Sequence, residues 1–322
     1  MARGSHETIA DARNADVLIY VNGALVPRDE AKVSVFDSGF VLGDGVWEGV
    51  RLHNRKIAFL DQHFDRLYEG ALAIGMDIGM TRGELAAALY RTVEANAMES
   101  DVHIRLMVTR GVKSTPHQDP RLTIGAATVV IIAEHKRKAP EADTVGIRLF
   151  TSSVRRAHPD TQDPKLNSHS KLNCITALVQ ALNAGADEAL MLDPEGFVST
   201  CNSTNFFIVR KGEVWTSTGK YCLNGVTRGH VIEIGRGHGI PVLEKDFSLT
   251  EVYGADEAFV TGTIGGLTPV AEVDGRLITE KPPGPVAVRL KALYGELIEN
   301  ECPAPSPAPR RGTRRRPLLM AF

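Results

Sequence analysis

Along the first third of the chain the apolar positions change period several times. Val17-Leu18-Ile19-Tyr20-Val21 is a short apolar run closed by Asn22-Gly23, the pattern of a strand entering a tight hairpin turn. From residue 58 to 76, Phe59, Leu60, His63, Leu67, Leu72 and Ile74 fall into a largely helical spacing. Leu85, Leu89 and Val93 predict a second helix over 82–97, and Ile104-Arg105-Leu106-Met107-Val108 and Thr128-Val129-Val130-Ile131-Ile132 read as strands. Together these predict a small α+β domain over 17–134, behind a flexible, polar N-terminus of residues 1–16. The segment 135–143, HKRKAPEAD, is charged, contains Pro140 and predicts a linker. Beyond it a larger domain over 144–301 is predicted. It has a strand from Val145 to Phe150, a helix from Leu172 to Asn183 ending before Gly185, and short strands at Ala189–Asp193, Phe206–Arg210 and Ala258–Val260. Short strands among isolated helices exclude a helical bundle and lack the βαβ rhythm of a doubly wound sheet.

Bulk composition narrows the class. Across 322 residues the chain is 43% hydrophobic and 24% charged, which suits a soluble globular protein, and its formal net charge of −2 offers no general attraction to nucleic acid or acidic membranes. Four cysteines without a close CxxC pair argue against a disulfide framework or a structural zinc. The polar start lacks the apolar core of a secretory signal, and no apolar run is long enough to span a bilayer, so a cytoplasmic protein is expected. From Cys302 onward the composition turns to proline and arginine, including Arg310, Arg311, Arg314, Arg315 and Arg316. A disordered, solvated tail over 302–322 is expected there.

The glycine-rich stretches carry the first chemical hints. Gly43-Asp44-Gly45 and Gly262-Thr263-Ile264-Gly265-Gly266 bring backbone N–H groups close together, yet neither matches the P-loop or the dinucleotide fingerprint, and each alone reads as a tight turn. Asn224-Gly225-Val226-Thr227-Arg228 says more: a turn glycine precedes a helix start, where free amides can cradle a phosphate. No acidic cluster for magnesium accompanies it, so a nucleotide kinase is disfavoured.

Five blocks in order resemble the fold type IV aminotransferases, the family of branched-chain and D-amino-acid aminotransferases. Asn22-Gly23, then Ala31 to Asp37, then Gly43-Asp44-Gly45-Val46-Trp47-Glu48-Gly49 is similar to the family's "NG…A.VSV.D.G…GDGVFEG" entrance. His63-Phe64-Asp65-Arg66-Leu67 resembles its HxxRL helix, and residues 185–209 its "GADEALLLD..G.V.E…SN.F.V" block. Cys222 to Arg228 resembles "ILPGITR", and Thr261-Gly262-Thr263 followed by Leu267-Thr268-Pro269-Val270 resembles "TGTAAEVTPV". The resemblance covers roughly residues 17 to 298 and implies a two-domain α+β enzyme holding pyridoxal 5′-phosphate, paired as a homodimer. It implies that Arg66, the backbone of Val226 and Thr227, and Thr263 hold the cofactor phosphate. Trp47 and Arg105 fall in blocks that line the substrate side, and Arg51, Arg105 and Arg110 are alternatives for meeting a substrate carboxylate.

Two positions depart from the family pattern. The Schiff-base lysine of "DP..KSHNYLN" aligns without a gap to Asn167 in Asp163-Pro164-Lys165-Leu166-Asn167-Ser168-His169-Ser170-Lys171. An amide forms no imine and is no amine base. Lys171 stands where relatives carry a tyrosine against the cofactor's phenolic oxygen, about one helical turn further along, and is the first choice for a relocated amine. Lys165 is the runner-up, requiring two inserted residues, and the absence of any covalent lysine stays open. The glutamate that protonates the pyridine nitrogen aligns to Thr200, which donates a hydrogen bond but supplies no negative charge. Leu42 replaces a frequent tyrosine. The expected activity is amino-group transfer between an amino acid or amine and a 2-oxo acid. The alternatives are a lyase or other non-transaminase chemistry in the same fold, and a non-catalytic cofactor-binding homologue.

Overall fold

The computed structural model describes residues 4–6, 8–138 and 141–304. Its first sheet holds β1 (Leu18–Val21), β2 (Ala24–Pro27), β3 (Gly45–His53), β4 (Lys56–Ile57), β5 (Val102–Thr109) and, past the small hairpin of β6 (Val112–Lys113) and β7 (Thr123–Ile124), β8 (Thr128–His135). Their order is β2-β1-β8-β5-β3-β4, antiparallel throughout. Asn22 and Gly23 both take positive φ, as a two-residue hairpin loop between twisted strands requires.

Three helices accompany this sheet: the short α1 (Ser38–Leu42), capped by Asp37, then α2 (Leu60–Ala73) and α3 (Arg82–Ala95). Thr81 and Glu84 form a capping box that fixes where α3 starts. Phe64, Leu67, Leu85 and Leu89 bury against Val50, Leu52, Ile104 and Leu106, each contributing about 1.5–3 kcal/mol of burial free energy. The period of two along β3 then decides the function-bearing face. Glu48, Val50 and Leu52 turn toward the helices, while Trp47 and Arg51 turn toward residues of the linker and the second domain.

The segment expected as a linker over 135–143 overlaps elements at both ends, since β8 takes in His135 and α4 (Glu141–Thr144) begins inside it. A nine-stranded sheet follows: β9 (Ile147–Thr151), β10 (Glu188–Leu192), β11 (Val198–Cys201), β12 (Asn205–Arg210), β13 (Glu213–Thr216), β14 (Val242–Glu244), β15 (Glu257–Gly262), β16 (Gly266–Val273) and β17 (Arg276–Leu277). The path runs β11-β10-β9-β16-β15-β12-β13-β14, with β17 on β16. Strand β10 and most of β12 are buried along their length, which explains their unbroken apolar runs. Helices α5 (Pro159–Gln162), α6 (Leu172–Asn183), α7 (Val226–Gly237), α8 (Leu249–Tyr253) and α9 (Pro285–Glu301) complete the domain. Ala177 and Ala181 of α6 seat on Ala189 and Met191, whereas α7 and α9 pack together through Val231, Ile232, Leu290 and Tyr294.

Three local expectations change. The strand expected from Val145 begins at Ile147. The lead expected to be flexible carries specific contacts: Ser5 is buried with its N–H and hydroxyl on the Glu188 carboxylate, Thr8 bridges Lys138, and Asn14 exchanges hydrogen bonds of 2.8 and 2.7 Å with the His135 backbone. These are polar side chains pairing with distant backbone, which no hydropathy pattern records. At the other end Cys302, the first residue of the expected tail, is buried, and its carbonyl accepts from Asn54 Nδ2 at 2.8 Å. The arginines from Arg310 to Arg316 lie outside the described residues. Among the described residues no helix is long and apolar enough to cross a membrane.

Candidate active site

Arg66 projects from α2 toward Glu48, and the two make a fork-on-fork pair with Nε–Oε1 and Nη2–Oε2 both 2.7 Å. Glu48 has no exposed surface and also takes a 2.7 Å hydrogen bond from His63 Nδ1, one turn earlier on α2. Burial works to raise the Glu48 pKa, but the bonds from Arg66 and His63 outweigh it and hold the carboxyl below its ordinary range. Arg66 Nη1 donates to the Asn224 carbonyl at 3.0 Å. Of its five N–H donors three are thus committed, leaving two for an anion.

Asn224 opens the turn into α7. Gly225 is the helix cap, and a Cβ there would lie 2.4 Å from Asn205 Oδ1, so only glycine allows this approach. Asn205 Nδ2 in turn holds the Leu223 carbonyl at 2.9 Å. The first-turn N–H groups of α7 have no partner within the helix and face outward at its positive end. Val226, Thr227 and Thr263 line one cavity of about 520 Å³ together with His63, Phe59 and Tyr294, and Thr227 Oγ1 lies 3.4 Å from the Tyr294 hydroxyl. Arg51, Arg137, Lys138 and Lys291 supply positive charge to the walls against Asp101 and Asp143.

The segment before α6 is zipped onto β3 across the domain boundary. Trp47 N–H donates to the Asn167 carbonyl at 3.0 Å, His169 N–H to the Gly45 carbonyl at 2.9 Å, and Val46 bridges Ser168. Asn167 is buried and its Nδ2 donates to the Trp47 carbonyl at 2.6 Å. Lys171 is the N-cap residue of α6, and its side chain runs back one turn, placing Nζ 3.2 Å from Asn167 Oδ1 and 5.6 Å from the Trp47 ring centre. Burial brings the Lys171 amine down to about 8, with Cys174 and Glu48 acting in the raising direction and Arg156 and Arg66 in the lowering one. Arg156 is fixed by Tyr221 O and Cys174 Sγ, each at 3.3 Å. Lys165 is exposed, so its amine does not join this cluster.

On the Trp47 face of the sheet, the Arg105 guanidinium stacks 4.2 Å from the Trp47 ring centre. Arg51 Nη1 is tied to the Lys136 carbonyl at 2.7 Å while still lining the cavity. Arg110, another sequence alternative, has four of its five N–H donors on Asp44, Gly75 and Ile74. The Thr200 hydroxyl donates to the Thr204 carbonyl at 2.7 Å, and Thr204 Oγ1 donates to Glu188 at 2.8 Å. Thr200, on β11, therefore directs its hydrogen into the turn that follows that strand.

With this geometry in place, the comparisons decide the family. The family model for class IV amino-transferases matches residues 45–273. This chain belongs to the class IV aminotransferases. It is 42% identical over 286 residues to branched-chain-amino-acid aminotransferase-like protein 2 of Arabidopsis thaliana, covering 89% of this chain and 51% of that protein. It is 40% identical over 280 residues to a putative branched-chain-amino-acid aminotransferase of Methanocaldococcus jannaschii, covering 87% and 96%. Thus the chain spans about half the length of the Arabidopsis relative and nearly all of the archaeal one. A solved branched-chain aminotransferase of Thermoproteus uzoniensis with norvaline superposes with a TM-score of 0.80 at 34% identity, covering 89% of this chain and 96% of that one.

Class IV aminotransferases use pyridoxal 5′-phosphate. At the phosphate end the residues of this class IV aminotransferase fit it: two spare Arg66 donors, a helix N-terminus opened by a glycine that tolerates no side chain, and two threonines on one cavity. Lys171 lies apart from that cavity and lines a much smaller pocket with Arg156, Leu166 and Cys174. Sequence reasoning singled out Arg66, Asn167, Lys171, Val226, Thr227 and Thr263. It missed Glu48 and Arg156 as partners, the roles of His63 and Asn205, and the engagement of Ser5 with Glu188. A glutamate and a histidine within the matched blocks were visible signals for Glu48 and His63. Nothing local marks Ser5 or Arg156.

Proposed function

We propose that this protein transfers an amino group between an amino acid or amine and a 2-oxo acid, using pyridoxal 5′-phosphate and the amine of Lys171. The observation that carries the reading is the approach of Lys171 Nζ to 3.2 Å from Asn167 Oδ1. An amine thereby arrives where the side chain of the family's usual lysine begins. When bound, the cofactor supplies an aldehyde that takes up an amino group and a conjugated ring that withdraws electrons from the donor's Cα. Arg66, the Val226 and Thr227 amides and Thr263 would hold the phosphate, and Asn167 would border the ring. Lys171 would be the proton carrier: a group brought to about 8 has both protonation states available near neutral pH. Thr200, without charge and turned to Thr204, favours a site that relies less on a protonated ring nitrogen.

Trp47 and Arg105 would bound the substrate from outside the cavity lined by Thr227 and Thr263, whose own cationic walls suit a carboxylate. Phe59, Ile264, Leu267 and Ile298 add apolar lining, which, with the names of the relatives, favours an amino acid with a branched apolar side chain as donor. We further propose a homodimer. Leu172, Ile175, Val179 and Leu182 form an exposed apolar stripe at helical spacing on α6, and Phe40 and Val35 are exposed as well.

Borohydride reduction of the protein loaded with pyridoxal phosphate, followed by peptide mass mapping, tests the central assignment. Label on Lys171 is expected. Label on Lys165, or saturable cofactor binding without label, would sink it. An amino acid plus 2-oxo acid assay then separates transfer, which needs the oxo acid, from a lyase, which does not.

A further inference from the structure

Asn167 is the residue that standard chemistry would most wish away, yet the fold treats it with care. It is buried to 5% exposure, and both ends of its amide are engaged. Nδ2 donates to the Trp47 carbonyl at 2.6 Å, and Oδ1 accepts from Lys171 Nζ at 3.2 Å. Its own backbone carbonyl accepts from Trp47 N–H at 3.0 Å, so Asn167 and Trp47 are joined by two hydrogen bonds of opposite sense. Because β3 is paired with β5 over eight residues, the Trp47 carbonyl is a rigid anchor. The amide therefore transmits the position of a sheet to the tip of a long, otherwise mobile lysine.

We infer that Asn167 is the positioning residue for Lys171, an amide clamp that holds the Lys171 amine against β3 beside the Trp47 ring. The inference rests on the assignment of Lys171 as the cofactor amine. A lysine has four rotatable bonds and loses up to about 2 kcal/mol of rotamer entropy when fixed. Delivering it from one turn further along the chain than usual adds freedom that something must remove. The Trp47 ring bounds one side, with its Nε1–H fixed to the Ser168 carbonyl at 3.1 Å. The Asn167 carbonyl supplies the directed contact. The choice of an amide over a carboxylate also matters. The charged groups acting on the amine are Arg156, Arg66 and Glu48, which is already engaged by Arg66 and His63, and the titratable thiol of Cys174 also faces it. A neutral acceptor at 167 orients Nζ without adding a charge that would lock it as ammonium. Aspartate, nearly the same shape, would do so.

Two readouts test this, one of them independent of cofactor. In cofactor-free protein, competitive acetylation of Lys171 across pH, with exposed Lys165 on the same segment as internal reference, gives the titration midpoint of its amine. Asn167→Asp should raise that midpoint by about 1 to 3 units, as an opposite charge at contact does. With pyridoxal phosphate, Asn167→Ala should slow borohydride-trapped attachment at Lys171 by about fivefold or more, the worth of one net hydrogen bond. Binding of pyridoxine 5′-phosphate, which has the phosphate but no aldehyde, should stay within about twofold. Should the alanine variant fold poorly, the aspartate variant still decides through the sign of its shift, which loss of packing does not reproduce. An unchanged midpoint in Asn167→Asp together with unchanged trapping in Asn167→Ala would overturn the clamp while leaving Lys171 as the cofactor amine. Absence of label on Lys171 in the unaltered protein would remove the assignment beneath it, and the clamp with it.

Discussion

At the scale of single residues, the site is organised by one carboxylate that touches no solvent. Glu48 aligns Arg66 and His63, and only through it does Arg66 present its remaining donors to the 224–227 turn. Replacing it by glutamine leaves a largely buried guanidinium without its counter-charge. Glu48→Gln should therefore cost about 3–5 kcal/mol of stability, read from denaturant or thermal melts. The pH dependence has a definite sign. The folded pKa of Glu48 is lowered below the ordinary 4.5, so its contribution is complete above about that pH and fades as pH falls through the lower folded value. The stability gap between the natural protein and Glu48→Gln should accordingly narrow in acid. A gap that stays constant deep into acid would show that the charge of Glu48 is not what holds Arg66. These partners were partly legible. Glu48, His63 and Arg66 all stand in matched blocks, but only the tertiary fold brings 48 against 63 and 66.

At the scale of elements, the N-terminus of α7 and the entry into α6 make the two halves of the site in different ways. The α7 turn was readable from Asn224-Gly225-Val226-Thr227, since a glycine followed by a helix start has one evident use. Its dependence on glycine is steric, for a Cβ at 225 meets Asn205 Oδ1 at 2.4 Å. Gly225→Ala should weaken binding of pyridoxine 5′-phosphate by about 1–3 kcal/mol, the usual cost of forcing an extra methyl into a packed site. Gly229→Ala, on the same helix but with nothing within 4 Å of the added carbon, should leave that affinity unchanged. Equal affinity in both variants would contradict a packed turn. The α6 entry was readable as a helix start but not as a delivery device. That the Lys171 side chain turns inward to Asn167 depends on residues 167–169 being pinned to β3, a pairing between segments 120 or more residues apart.

At the scale of the whole molecule, the exposed apolar face of α6 is the feature a lone chain does not explain. Its inner face is alanine against β10, while Leu172, Ile175, Val179 and Leu182 face outward. Ile175→Glu with Leu182→Glu should convert the proposed homodimer to monomer by light scattering, with the melting temperature of each folded chain little altered, because neither side chain belongs to a core. A dimer that survives both charges would place the interface elsewhere. The contacts of Ser5 with Glu188, and of Thr204 with the same carboxylate, tie the lead of the chain to the turn that follows Thr200 and its strand. These too are long-range and polar.

By itself the sequence determined the family and the longer helices and strands, and it marked the glycine turn at 224–227 and the asparagine at 167. Those rest on local periodicity, turn chemistry and residue identity, which a linear chain displays. The tertiary structure decided that Lys171 turns inward while Lys165 stays exposed, and that Arg110 is held by Asp44, Gly75 and Ile74. It also turned the Thr200 hydroxyl to the Thr204 carbonyl, and it made Asn167 the link between a sheet and a lysine tip. Each of these depends on the direction of a side chain and on what a distant segment leaves for it to bond, and neither quantity is a function of neighbours in sequence.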